Sequence, residues 1–275
     1  MMYTRWRKVW ADFWSNKTRT FLMILTILVG VFSLGLVNNM GRMMKHDMDA
    51  DFNSANPSEA KIYASPFDET WLRSLRKVPG VGDVEGRSIV NGKWAQPDGR
   101  VVNIQFSSVK SITEQRLDLL KPADPASGTL PELGEREVVF ERSASVLGLQ
   151  PGETIEIELS DGTKRELLFT GYVHDATSFA YGVSTTVPAY ITRETAVWLG
   201  EPAYTYNVLL VSVAENPTDR EHVTDIVKLL SDRFEKGNVT VYGTFLFNPG
   251  HHFAWQITQG VIVVLSMFGW MSVVL

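Results

Sequence analysis

Between Arg19 and Arg42 the chain runs TFLMILTILVGVFSLGLVNNMG, about 22 residues without a charge, and this run limits the fold more than any other feature. As an α-helix it rises about 33 Å, enough to cross the hydrocarbon core of a bilayer. A secretory signal has a shorter apolar core and a small-x-small cleavage site, whereas VNNMGRMM follows here. An uncleaved first membrane helix over residues 19–42 is therefore expected. A second charge-free run, AWQITQGVIVVLSMFGWMSVVL, spans Ala254 to Leu275, and no Asp, Glu, Lys or Arg occurs after Lys236. Because a span normally closes on a basic flank, residues 249–275 read as the start of a second, truncated membrane helix of a longer protein.

The residues before the first run set its orientation. In RWRKVWADFWSNKTRT, Trp6, Val9, Trp10, Phe13 and Trp14 fall on one helical stripe, with Arg5, Arg7, Lys8 and Lys17 off it. A soluble core favours Leu, Ile and Val, whereas a helix in a membrane interface sets Trp on one side against Lys and Arg on the other. Residues 1–18 are expected to form an interfacial helix, with Trp6, Trp10, Phe13, Trp14, Arg5, Arg7, Lys8, Lys17 and Arg19 at the lipid headgroups. Five cations against Asp12 give residues 1–19 a net charge of +4, and the whole chain carries −5, so the remainder carries −9. The positive-inside rule then puts the N-terminus in the cytoplasm and the acidic stretch 43–248 outside. Absence of cysteine fits an outer domain that needs no disulfides.

The outer stretch reads as α+β. Met40, Met44, Met48 and Phe52 recur every four residues, either as a stripe that packs above the membrane or as an amphipathic helix end, and Asn53 to Pro57 stops the helix. KIYAS is a strand, and FDETWLRSLRKVPGV is a helix with Trp71, Leu72, Leu75 and Val78 on one face. VGDVEGRSIVNGKWAQPDGRVVNIQFSSVK folds back as a hairpin near Pro97-Asp98-Gly99. Further on, YNVLLVSVAE is a strand, Pro217 to Lys236 a helix with Val223, Ile226, Val227, Leu230 and Phe234 inward, and NVTVYGTFLF a strand. Two β-α-β halves, about 60–110 and 205–247, would assemble as a split βαβ, ferredoxin-like sandwich. Residues of about 111–204, with EREVVFE, ETIEIELS and TKRELLFTGYVH as strands, ERSASVLGL as a short helix and an Asp161-Gly162 turn, form a mainly β insertion.

Signatures of chemistry are missing. The chain holds no GxxxxGK[ST], GxSxG or HExxH, and Asn91-Gly92-Lys93-Trp94 lacks the earlier Gly and the hydroxyl of a phosphate loop. Adjacent His251 and His252 diverge on a helix, so Asn248-Pro249 before them reads as a helix start; His46, His174 and His222 are scattered. The acidic alternations Glu135 to Glu141 and Glu153 to Glu158 read as solvated strand faces. No catalytic residue, metal or cofactor is expected, and no nucleic acid, since the basic cluster belongs to the membrane interface.

The order of interfacial Trp-rich helix, NKTRT lead, apolar helix, split outer domain and second apolar helix resembles the front of an FtsX-like, MacB-type ABC transporter permease. KVWADFWSNKTRTFLMILTILVGVFSLG resembles that family's opening, and EVVFERSASVLGLQPGETIEIELSDGTKRELLFTG, Glu137 to Gly171, resembles its periplasmic core domain. The resemblance implies a multi-pass protein of the cell membrane with four membrane helices. It also implies a dimer with itself or a related permease, and a separate ATP-binding subunit that supplies the ATPase activity this chain lacks. Met40, Met44 and Met48, with Asn248, Pro249 and Trp255, would be the stalk joining membrane and outer domain, its movement serving export, lipoprotein release or mechanotransmission. A membrane-bound sensor with an outer ligand-binding domain has the same two-helix layout, and a membrane-anchored enzyme leaves no motif to exclude it.

Overall fold

The computed structural model describes residues 14, 17–96, 98–247 and 254–274. They form two compact units, one of residues 1–49 with 253–275 and one of residues 50–252.

The first unit is helical. Helix α1 (Lys17–Ser54) contains no proline, and at 1.5 Å per residue its 38 residues rise about 57 Å, well beyond the hydrocarbon thickness. Its apolar side chains are bare, with Phe21 66% and Phe32 65% exposed, as suits contact with hydrocarbon rather than water. Among the described residues it is the one helix long and apolar enough to cross a membrane. Thr26 Oγ1 donates to the Leu22 carbonyl, which satisfies a hydroxyl in this setting. Helix α5 (Trp255–Val274) carries the shorter apolar stretch Ile257–Met271. Glycines set the α1–α5 contact: a Cβ on Gly41 would lie 2.8 Å from Ile262 Cδ1, and one on Gly269 would lie 2.7 Å from Leu34 Cδ2. The two helices therefore run antiparallel, and a backbone without side chains lets them approach at both points.

The second unit starts in the last turn of α1. The helix stops where Asn56 turns left-handed, at φ 46°, ahead of Pro57. Strand β1 (Ala60–Asp68) leads into helix α2 (Glu69–Leu75), whose first turn is capped by the Asp68 carboxylate accepting from the Thr70 and Trp71 amides. Strand β2 (Val81–Arg87) follows. Near the other end lie strand β10 (Thr205–Val213), helix α4 (Arg220–Lys236), capped by Asp219, and strand β11 (Val241–Leu246). These strands form one sheet in the order β11-β1-β10-β2, every neighbouring pair antiparallel. Both helices bury their apolar faces on it: Leu72 and Leu75 from α2, and Val223, Ile226, Val227, Leu230 and Phe234 from α4. Phe234 stands 4.9 Å from Phe67 and 5.2 Å from Trp71, ring centre to ring centre. The central strand β10 buries Val208 to Val211 without alternation, because both faces of the sheet are covered.

Between these halves the chain builds a second sheet from β3 (Ile89–Ala95), β4 (Val101–Val109), β5 (Lys121–Pro122), β6 (Glu137–Glu141), β7 (Thr154–Leu159), β8 (Lys164–His174) and β9 (Thr186–Thr192). A 3₁₀ helix, Arg142–Leu147, follows β6, and helix α3 (Arg193–Trp198) follows β9. The order is β5-β8-β6-β9-β4-β3-β7, and β7 also pairs with β8, so the sheet closes on itself. Its interior is filled by Ile104, Phe106, Phe140, Ile157, Leu167 and Phe169.

One expectation needs correction here. The β3–β4 hairpin, placed from sequence with the front half at 60–110, belongs to the second sheet, so the insertion starts at Ser88 and not at about 111. The hairpin's own register says nothing of which sheet it joins. That is decided by distant pairings, β4 parallel to β9 and β3 antiparallel to β7, which bury Val90, Trp94, Val102 and Ile104. The insertion also contains the parallel pair β6–β8, which no local pattern announces.

Candidate functional site

The expected membrane-interface residues Trp6, Trp10, Phe13, Arg5, Arg7 and Lys8 lie outside the described residues, as do Asn248 and Pro249 of the expected stalk. Trp14 is 64% exposed, with Lys17 Nζ 4.7 Å from its ring centroid, and Arg19 is exposed. Met40 and Met44 are exposed and Met48 is half-buried. Trp255 is half-buried, with Lys45 Nζ 5.6 Å from its ring centroid.

A denser cluster than any of these surrounds the residues at and just after the end of α1, and all of it belongs to the second unit. Phe52 and Ala55 are buried. Asp51 accepts from Lys121 Nζ at 2.8 Å through Oδ1 and lies 2.5 Å from His174 Nε2 through Oδ2; the same lysine donates to the Asp51 carbonyl at 2.7 Å. The other imidazole nitrogen, Nδ1, faces Glu141 Oε1 at 3.6 Å. Because the two carboxylates meet opposite sides of one ring, the histidine bridges them and the trio does not converge on a point where a metal could sit. Among the described residues no other His, Asp and Glu grouping suits a metal.

Burial pulls the His174 pKa down, but Glu141 and Asp51 outweigh it and hold the imidazole above its ordinary value. Burial pushes Glu141 up, and His174 with Ser143 brings it below the ordinary carboxylate range. Glu141, read from its alternation as part of a solvated strand face, is 4% exposed. It ends β6 and caps the 3₁₀ helix by accepting from the Ser143 amide at 2.7 Å, so its side chain turns inward.

The segment after α1 is also stitched to the loop 116–119. Asp118 and Leu119 donate their amides to the Asn56 and Ala55 carbonyls, and Asn56 Nδ2 donates to the Arg116 carbonyl at 2.6 Å. Asp118, 1% exposed, accepts from the Ser58 amide at 2.8 Å and pairs with Lys61 Nζ at 2.9 Å. Arg87 Nε donates to Glu85 Oε1 at 3.1 Å and Nη2 to the Leu117 carbonyl at 2.7 Å, while Glu85 Oε2 accepts the Arg116 and Leu117 amides. Burial disfavours the Asp118 carboxylate, but Lys61 and Arg87 overcome that and lower its pKa; Lys61 is raised, with Asp118 and Asp175 outweighing its burial. Tyr190 donates its hydroxyl to Asp175, and burial followed by that carboxylate pushes the phenol well up.

In this network Lys61 pairs with Asp118, Arg87 with Glu85 and Lys121 with Asp51, and backbone groups of residues 55–58 and 116–119 complete many of the remaining hydrogen bonds. Sequence reading singled out none of Asp51, Lys61, Arg87, Asp118 and Lys121, and noted His174 only as one of three scattered histidines. They lie up to 123 positions apart in the chain, and the one local signal was Asp118 within the otherwise apolar run Leu117 to Leu120.

No family model matches this chain, and no curated protein does. Among solved structures it is similar to the extracellular domain of the noncanonic ABC-type transporter YknZ from Gram-positive bacteria, at 12% identity over 68% of this chain and 100% of that one, with a TM-score of 0.40. A second neighbour is likewise an outer portion, by its own description a periplasmic region. The periplasmic region of MacB from Actinobacillus actinomycetemcomitans matches at 11% identity over 76% of this chain and 95% of that one, TM-score 0.38. A domain of a putative permease from Porphyromonas gingivalis matches at 10% identity over 71% and 91%, TM-score 0.31.

Proposed function

We propose that the chain is the permease subunit of an FtsX/MacB-type ABC transporter. It would couple ATP hydrolysis in a separate ATP-binding subunit to movement of its outer domain. The observation that carries this reading is α1 itself: one unbroken helix, apolar through its first half, charged after Arg42, and held at its far end by the half-buried contacts of Asp51 with Lys121 and His174. A helix is stiff along its axis, so displacement at the membrane end would arrive at the locked end with little lost to bending. Residues 19–42 would span the membrane, with α5 as a second span, and the N-terminus would be cytoplasmic. The four-stranded sheet would be the split βαβ, ferredoxin-like half of the outer domain and the closed sheet its insertion. Dimerisation with itself or a related permease completes the proposal, as the motifs of the opening segment imply; the substance moved, or the force delivered, is left open.

Met44 lies on the exposed stretch between the apolar half of α1 and the locked end, which makes it the place to cut the lever. Met44→Pro removes one helical hydrogen bond and costs about 3 kcal/mol locally. With the partner ATPase present, ATP turnover should persist while ATP-driven distance changes between labels on paired outer domains disappear. Unchanged distance changes in that variant would refute the lever.

A further inference from the structure

A cleft of about 340 Å³ lies between the two sheets of the second unit, at the small end of the range for small-molecule sites. One wall is the face of the four-stranded sheet opposite its helices, with Tyr63 from β1, Val208 and Leu210 from β10, and Phe245 from β11. The other wall is the outer face of the closed sheet. There Asn91, Gln105 and Pro188 stand in one cross-strand row on β3, β4 and β9, and Ile89, Ser107 and Tyr190 in the next. A loop carrying Phe179 and Ser184 borders the opening.

Three properties narrow what such a cleft would take. The side chains of Asn91, Gln105, Ser107 and Thr186 make no hydrogen bond with any described residue, although the first three occupy adjacent rows of the wall and each can donate and accept. Charge is already satisfied at the floor: Lys61 is paired with Asp118, Arg87 with Glu85, and Asp175 accepts from Tyr190 and Thr177, so an ionic ligand would have to break a buried pair. Strand β4 is paired along both edges, by β3 and β9, and these pair in turn with β7 and β6, so the middle of this wall offers an extended peptide no open edge. Phe245 on the facing wall is 42% exposed and Phe179 on the bordering loop 41%.

We infer that the cleft is a binding site for a neutral carbohydrate of about disaccharide size, its hydroxyls bonded by Asn91, Gln105, Ser107 and Thr186 and its C–H face laid on the Phe245 and Phe179 rings. The site lies within the second unit and does not depend on whether the chain is a permease.

The test uses the full chain in a detergent without a sugar headgroup, titrated with maltose, cellobiose and N,N′-diacetylchitobiose and followed by saturation-transfer NMR. At least one disaccharide should bind, and the double variant Asn91→Leu, Gln105→Leu should raise its Kd about tenfold or more. The same variant should melt at the wild-type temperature, since neither amide bonds within the protein; Ser107→Phe, which fills the cleft, supplies a second blocked form. The inference is overturned if no disaccharide binds, if both variants bind as wild type does, or if trialanine capped as its N-acetyl amide binds in their place with the same sensitivity to the variants.

Discussion

Replacing Asp118 by Asn removes one negative charge from the network that holds the segment after α1, while leaving an oxygen to accept the Ser58 amide. Its partner Lys61 would remain charged with a side chain 19% exposed, against 1% for Asp118 itself. Breaking a buried ion pair on one side costs about 3–5 kcal/mol, because the surviving charge has lost its compensation. Lys61 borders the open cleft and can take up water there, which places the cost near the lower end, about 3 kcal/mol. For a unit of this size each kcal/mol lowers the melting temperature by about 2–4 °C, so Asp118→Asn should melt about 6–12 °C below wild type. Scanning fluorimetry of the full chain in detergent reads this directly. Lys61→Met completes a cycle: the double variant should be milder than the sum of the singles by at least about 1 kcal/mol, since removing both charges strands neither. A fall of less than about 2 °C in Asp118→Asn, or strict additivity in the cycle, would show that the pair is not the fastening inferred from its geometry.

The His174 bridge predicts a pH dependence. Its folded pKa is raised, so its contribution is fully present below the unfolded value of about 6.5 and is lost as pH rises through the folded pKa; the wild-type melting temperature should fall over that window, and His174→Gln should flatten the slope. Glu141, lowered in the fold, contributes in the opposite sense, its share disappearing as pH drops below the ordinary carboxylate range. In the helical unit Gly269→Ala should destabilise more than Gly41→Ala, because the new Cβ at 269 meets the branch point of Leu34 at 2.8 Å while that at 41 meets the mobile tip of Ile262; thermal melts of the two variants decide it. Lack of any cysteine makes topology easy to read: an impermeant maleimide should label Ser160→Cys in intact cells and Thr18→Cys only after permeabilisation, and the reverse pattern would invert the orientation.

Local periodicity carried much of the fold. The stripe Val223, Ile226, Val227, Leu230 and Phe234 is buried on one helix face, and the strands flanking Asp161-Gly162 pair as a hairpin, because both patterns are complete within one element. The interfacial reading rests on Trp and Arg at helical spacing alone, and most of those residues lie outside the described residues. Nothing local could place β3 and β4, whose alternation would suit either sheet, nor reveal that Glu141 turns inward where its neighbours in the alternation face water.

Sequence by itself determined the charge-free first helix, the acidic stretch that follows it and the amphipathic elements on that stretch, because apolar period and charge are properties of short windows of chain. Only the tertiary structure decided how the second sheet closes, that Asp51 and Glu141 meet the one imidazole of His174, and that Lys61 reaches the buried Asp118. Each of those joins residues distant in sequence through contacts of a few ångströms. Their stability comes from shared burial, which no single segment possesses until the others have folded against it.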